Sequence, residues 1–170
     1  WRAADAHARR ALDQVIDEDI ACEGRIARDV AAAIPDGAAL VVASSLPVRA
    51  LEWCMTPRTG VRVLANRGAN GIDGFVSTVI GVAAGHSGPV VALCGDLCLL
   101  HDTNGLLGGA SLPAVTFVVI DNDGGGIFSY LPQSDLPEFE TLFATPQSVD
   151  LVAVAGAHGV AAERVELAEL

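Results

Sequence analysis

Apolar residues recur along the chain first at helical spacing and then in short unbroken runs. Over residues 5–33, Ala11, Val15, Ile16, Ile20, Ile26 and Val30 fall on one face and charged residues fill the other. That period predicts a helical stretch, interrupted at Gly24 and ended by Pro35-Asp36-Gly37. Residues 39–43 are continuously apolar, a buried strand, and hand over at Ser44-Ser45 to a helix over 46–54. The alternation repeats with a strand at 61–64, a loop at 66–72 and a Gly/Ala-rich helix at 73–86. A strand at 89–94 follows, then Gly95-Asp96, a helix over about 102–109, a strand at 114–120 and a last helix at 149–156. Unbroken apolar strands alternating with helices predict an α/β fold, a doubly wound parallel sheet covered on both faces in three layers. Ligands of such sheets bind outside the carboxyl ends of the strands. There the sequence gathers Ser44-Ser45, Asn66-Arg67, Gly95-Asp96 and Asn122-Asp123-Gly124.

Composition narrows what that rim can do. The 170 residues, 51% of them hydrophobic, suffice for one folded domain, and no apolar run nears the roughly 20 residues of a membrane helix. Net charge is −11, with ten arginines and no lysine. A nucleic-acid binder needs clustered cations, so that class is excluded. Without lysine there is no P-loop and no pyridoxal phosphate Schiff base. Cys22, Cys54, Cys94 and Cys98 lack zinc-ligand spacing and lie among Ala, Leu and Val, which predicts reduced thiols in a cytoplasmic protein. The chain opens at Trp1-Arg2 with no secretory signal and stops in mid-pattern at Ala168-Glu169-Leu170, so a piece of a longer protein is expected.

Two loops carry the candidate chemistry. Gly95-Asp96 and Asp121-Asn122-Asp123-Gly124 each cap an apolar strand, and Asp96 and Asn122 stand 26 positions apart. One helix and one return strand fit that gap, so the loops can be neighbours. Asp96 offers a carboxylate, Asn122 an amide oxygen and Gly124 an open carbonyl. With two diphosphate oxygens and a water they complete the octahedral shell of Mg²⁺, and backbone N–H groups near a helix start favour the diphosphate. A helix cap and a sharp turn account for either loop alone, but not for the spacing and the two preceding strands.

This pattern, Gly-Asp followed about two dozen residues later by an Asn pair or a variant, resembles the thiamine diphosphate enzymes. Leu97 and Asp121 depart from the residues commonest there, and neither replaces a proposed side-chain ligand. Four segments resemble one family more closely, the 2-succinyl-5-enolpyruvyl-6-hydroxy-3-cyclohexene-1-carboxylate synthases. They are Ser45-Leu46-Pro47-Val48-Arg49, the nine residues from Asn66 to Gly74, Gly95-Asp96 through Leu106, and Gly124-Gly125-Gly126-Ile127-Phe128-Ser129-Tyr130-Leu131-Pro132. The likeness continues through Phe139-Glu140 to Pro146.

The resemblance implies a thiamine diphosphate-binding fold, with residues 1–35 as linker and helix and 36–170 as the diphosphate-binding domain. The pyrimidine-binding and central domains, with the activating Glu, are then absent from this chain, which contributes no catalytic residue of its own. Gly95, Asp96, Leu97, Asn122 and Gly124 are implied to bind thiamine diphosphate, and Asp96, Asn122 and Gly124 to hold Mg²⁺ or Mn²⁺. Ser45, Arg49 and Arg67 are implied to face 2-oxoglutarate and isochorismate, and Ile127, Phe128 and Leu131 to line the same region. Guanidinium forks suit such dicarboxylates; surface ion pairs for the arginines and ordinary core roles for the apolar three remain open. The implied reaction decarboxylates 2-oxoglutarate and adds its succinyl unit to isochorismate, a step of menaquinone biosynthesis, in a homodimer or homotetramer.

Other thiamine diphosphate enzymes, such as an acetolactate synthase or a pyruvate oxidase, share the metal motif; Arg49 and Arg67 favour a dicarboxylate donor. A non-catalytic or dinucleotide-binding α/β domain is the more distant alternative, and Gly68, Gly71 and Gly74 have the wrong spacing for the latter. No Gly-x-Ser-x-Gly elbow occurs. His101 reads as structural, and His7, His86 and His158 show no cluster with carboxylates or cysteines.

Overall fold

The computed structural model describes residues 1–18, 22–66 and 71–165. The expected amphipathic stretch forms two helices, α1 (Arg2–Glu18) and α2 (Glu23–Ala33). Gly24 does not end a helix. It lies in the first turn of α2, where a Cβ would come within 2.8 Å of Cys54 Sγ, so it allows α2 to approach the next helix closely. There follow β1 (Ala39–Val42), α3 (Leu46–Cys54), β2 (Arg62–Ala65), α4 (Phe75–Gly85), β3 (Val90–Gly95), α5 (Asp96–His101), β4 (Thr116–Ile120) and α6 (Leu151–Ala157).

All strand pairs are parallel, in the order β2-β1-β3-β4. Residues of β1 and the Ala43 that follows it alternate between two cores. Ala39, Val41 and Ala43 pack with Phe75, Val76 and Val79 of α4 and with Cys98 and Leu99 of α5. Leu40 faces the other way with Val42, onto Ala27 and Ala31 of α2 and Ala50 and Leu51 of α3. The sheet is thus the middle of three layers. The stretch expected as linker and helix shares this second core with the rest of the chain. Its first helix is held mainly by charge: Arg28 reaches Asp13 and Asp17 at 3.1 and 2.7 Å, and Arg9 Nη1 donates to the Met55 carbonyl at 2.7 Å. Ile16 is the buried residue of α1.

The helix expected over 102–109 requires correction. Helix starts at once on Asp96, and the later stretch holds only the 3₁₀ turns Thr103–Leu106 and Gly109–Ser111. The Asp102 carboxylate accepts from Ser77 N at 2.7 Å and Ser77 Oγ at 3.2 Å. Gly105 packs flush on the same turn of α4, where a Cβ would sit 2.8 Å from Ser77 N. The segment is pinned to α4 and has no room to wind into a helix of its own. All four cysteines are free thiols, and among the described residues no helix is long and apolar enough to cross a membrane.

Candidate functional site

The strand order creates one crevice. The path β1-α3-β2 runs to one side of β1, and β3 returns on the other, so the ends of β1 and β3 diverge into loops on opposite faces. In register, Gly95 pairs with Ile120, which sets Asp96 level with the loop that starts at Asp121. The two loops meet directly. Asp96 Oδ1 accepts from Leu97 N at 2.8 Å, and its Oδ2 accepts from Gly124 N at 2.7 Å.

Asp96 is the one buried charged residue among those described, 3% exposed. Burial pushes its carboxyl above the ordinary range; the amide bonds from Leu97 and Gly124 oppose this, and the charge of Asp121 adds to it. Across the mouth, Asn122 Nδ2 donates to Glu23 Oε1 at 2.8 Å. Glu23 is half-buried at the start of α2, and its Oε2 is buried with no hydrogen-bond partner. Its carboxyl is also raised, first by burial, with the Asn122 bond opposing and Asp96 reinforcing.

Close packing shapes the rest of the loop. Gly124 has φ 139°, and a Cβ there would overlap the Ala144 carbonyl. At Gly125 a Cβ would overlap the Phe143 carbonyl, and its N–H donates to Ala144 O at 2.7 Å. Phe128 meets Phe143 edge-on, centroids 5.5 Å apart, joining the 3₁₀ turn Gly126–Tyr130 to the π-turn Glu140–Ala144. Asp123, at φ 55°, takes Gln147 N and Ser148 N on Oδ1 at 3.0 and 2.6 Å.

These loops enclose a cavity of about 250 Å³. Ser45, Gly95, Asp96, Leu97, Asn122, Gly124, Ile127 and Phe128, all expected from sequence, stand on its wall. Two expected residues do not. Arg49 is exposed and donates to the Ser45 carbonyl at 2.7 Å, while Leu131 is 39% exposed beyond the 3₁₀ turn. Arg67 lies outside the described residues. Ser45 adopts φ 76° at the start of α3, a conformation costing a non-glycine residue about 1–3 kcal/mol and concentrated at functional sites. Neighbouring Ser44 ties the β1 and β2 loops together, its Oγ donating to Asn66 O at 2.9 Å. Sequence reading missed Glu23: an acid in a first helical turn reads as a helix-dipole partner, and 99 positions separate it from Asn122.

The wall's charged groups are acidic; no Arg or His is among the described lining residues. These carboxylates attract a cation, and the unpartnered Glu23 Oε2 and the buried Asp96 carboxylate both gain from one. Hard oxygen donors from Asp96, Asn122 and Gly124 suit Mg²⁺ or Mn²⁺. A second, apolar cleft of about 340 Å³ lies against α3 and β2, and the expected site residues do not line it.

Comparison with known proteins identifies the family. The model of the thiamine pyrophosphate enzyme C-terminal TPP binding domain matches residues 53–169. The 2-succinyl-5-enolpyruvyl-6-hydroxy-3-cyclohexene-1-carboxylate synthase of Thermobifida fusca is 49% identical over 163 residues, 92% of this chain and 30% of that protein. The synthase of the same name from Myxococcus xanthus is 46% identical over 96% of this chain and 29% of its own length. The chain therefore spans less than a third of these relatives. In fold it is similar to benzoylformate decarboxylase from Polynucleobacter necessarius, with TM-score 0.65 and 22% identity over 86% of this chain and 28% of that one. The chain belongs to the thiamine pyrophosphate enzyme family, whose C-terminal TPP binding domain it matches.

Proposed function

We propose that this chain supplies the diphosphate- and metal-binding half of the active site in a synthase that decarboxylates 2-oxoglutarate and joins its succinyl unit to isochorismate, in menaquinone biosynthesis. The observation that carries the reading is the buried Asp96 carboxylate, bonded to the Gly124 N–H on a cavity wall whose described residues include no cation. The substrates come from the names of the relatives that are 49% and 46% identical.

Asp96, the Asn122 amide oxygen and the Gly124 carbonyl would hold Mg²⁺ or Mn²⁺, with Gly95 and Leu97 beside the diphosphate. Thiamine diphosphate, when bound, supplies the electron sink for decarboxylation. The chain's own part is to bind, orient and exclude water. Ile127 and Phe128 make the wall near the reacting groups apolar. Arg49 and Arg67 offer guanidinium forks to substrate carboxylates, and the strained Ser45 offers its hydroxyl to the same groups. Residues 36–170 form the diphosphate-binding unit on this reading and 1–35 lead into it. The pyrimidine-binding half, with its activating Glu, lies in the rest of a cytoplasmic homodimer or homotetramer, and the chain alone has no turnover.

The test offers the full-length protein isochorismate with 2-oxoglutarate or with pyruvate, in the presence of thiamine diphosphate and Mg²⁺. Isochorismate loss only with 2-oxoglutarate supports the reading. Turnover of pyruvate alone would keep the cofactor and replace the reaction with one of the acetolactate synthase or pyruvate oxidase type.

A further inference from the structure

We propose that Glu23 is a positioning residue of the metal site, which fixes the Asn122 amide so that its oxygen is the atom presented to the cation. The inference rests on the cofactor reading above and adds a residue from α2, outside the two loops.

The two ends of an asparagine amide are nearly the same shape and opposite in chemistry. With its NH₂ turned inward, Asn122 would present hydrogen-bond donors to a cation and lose it as a ligand. Something must choose the orientation, and Asn122 is itself exposed at the cavity mouth. Glu23 makes the choice. An ionised carboxylate only accepts, so the 2.8 Å contact from Asn122 Nδ2 to Glu23 Oε1 commits the NH₂ to that side and leaves Oδ1 on the other. Gly126 makes room for this pose, since a Cβ there would stand 2.5 Å from Nδ2.

A helix-dipole role alone does not account for Glu23. An acid serving only that role sits in solvent, whereas Glu23 is half-buried, lines the cavity and has Oε2 buried without a partner. Burying a carboxylate oxygen in this way is unfavourable on its own, so the side chain is held at the cavity by more than the helix start. Groups that orient a ligand from behind commonly change metal affinity by about 10–100-fold when removed.

The experiment uses the full-length protein and reads the Mg²⁺ concentration for half-maximal thiamine diphosphate binding, by quenching of intrinsic fluorescence, with thermal unfolding of the metal-free forms alongside. Glu23→Ala is expected to raise that concentration about 10-fold or more. Glu23→Gln is expected to restore most of the affinity, because its amide oxygen accepts the same N–H. In an Asn122→Ala background, Glu23→Ala is expected to change Mg²⁺ dependence by less than about twofold, as the orientation it sets no longer exists. Unaltered Mg²⁺ dependence in Glu23→Ala overturns the inference. So does an equal loss in both backgrounds, or a Glu23→Gln variant as weak as Glu23→Ala, which would assign the effect to charge. If Glu23→Ala unfolds early, Glu23→Gln and the Asn122→Ala background decide. Wild-type protein that binds no thiamine diphosphate with Mg²⁺ would overturn the cofactor reading itself.

Discussion

The two halves of the binding rim are built differently. At the ends of β3 and β4, polar groups are paired with one another: Asp96 with the Gly124 N–H, Asn122 with Glu23, and Asp123 with two amides of the 145–148 stretch. Glycines let the backbone close over them, with the Ala144 and Phe143 carbonyls in the space where side chains would stand. At the end of β1 the same rim turns outward. Arg49 is exposed and rests on the Ser45 carbonyl, and Ser45 itself is held at φ 76°. A site that must grip a small, highly charged metal-diphosphate unit gains from donors fixed in advance. A site that meets exchanging substrates gains from reachable side chains. The first half is preorganised within this chain, and the second presents groups for contact.

The largest effect that would break this contrast is steric. Gly125→Ala should push against the Phe143 carbonyl and destabilise the metal-free protein by about 2–3 kcal/mol, read as a lower denaturant midpoint at unchanged slope. A midpoint like that of wild type would mean the loop is not close-packed. Next, Arg49→Ala should raise the KM for 2-oxoglutarate or isochorismate about tenfold, equivalent to about 1.4 kcal/mol, and leave the Mg²⁺ requirement alone. An altered Mg²⁺ requirement would dissolve the distinction between the halves. Away from the rim, Gly81 in α4 has nothing within 4 Å of a built Cβ and no positive φ. Gly81→Ala should therefore stabilise by about 0.5–1 kcal/mol through helix propensity.

The smallest effect concerns pH. Burial raises the Glu23 and Asp96 carboxyls, so between their ordinary and raised values the folded state binds more protons than the unfolded one. Their contribution to stability is complete below the ordinary carboxylate range and is lost as pH rises through the raised values. Metal-free wild type should accordingly lose stability relative to Glu23→Gln as pH climbs through and above the ordinary carboxylate range, followed by thermal unfolding. Mg²⁺ with cofactor should shrink the difference, because the metal favours the ionised forms.

The legible parts of the sequence were those where one physical signal dominates. β1 and β3 are buried parallel strands and therefore continuous apolar runs, and β4, partly buried at the end of the sheet, keeps the apolar stretch Phe117-Val118-Val119-Ile120. The helix expected over 46–54 forms as Leu46–Cys54, opening on Pro47 after the turn at Ser45. The 26-position gap from Asp96 to Asn122 correctly placed their loops side by side, because one helix and one strand consume it. Long-range pairings were not legible. The stretch from Asp102 is expected as helix until α4 is seen to hold it through Ser77, and Leu97-Cys98-Leu99-Leu100 is too short an apolar run to declare α5. Glu23 reaches Asn122 only because α2 packs beside α3 on the same face of the sheet. Arg67, expected to face the substrates, lies outside the described residues.

The central claim is that Asp96 anchors a metal through which a diphosphate cofactor is held. Calorimetric titration of thiamine diphosphate into the full-length protein, with Mg²⁺ or with chelator, and into its Asp96→Ala variant, tests it most directly. The account predicts binding by wild type only with Mg²⁺, and affinity at least about 100-fold weaker in the variant with Mg²⁺ present. Equal binding with and without metal, or by both proteins, would contradict it.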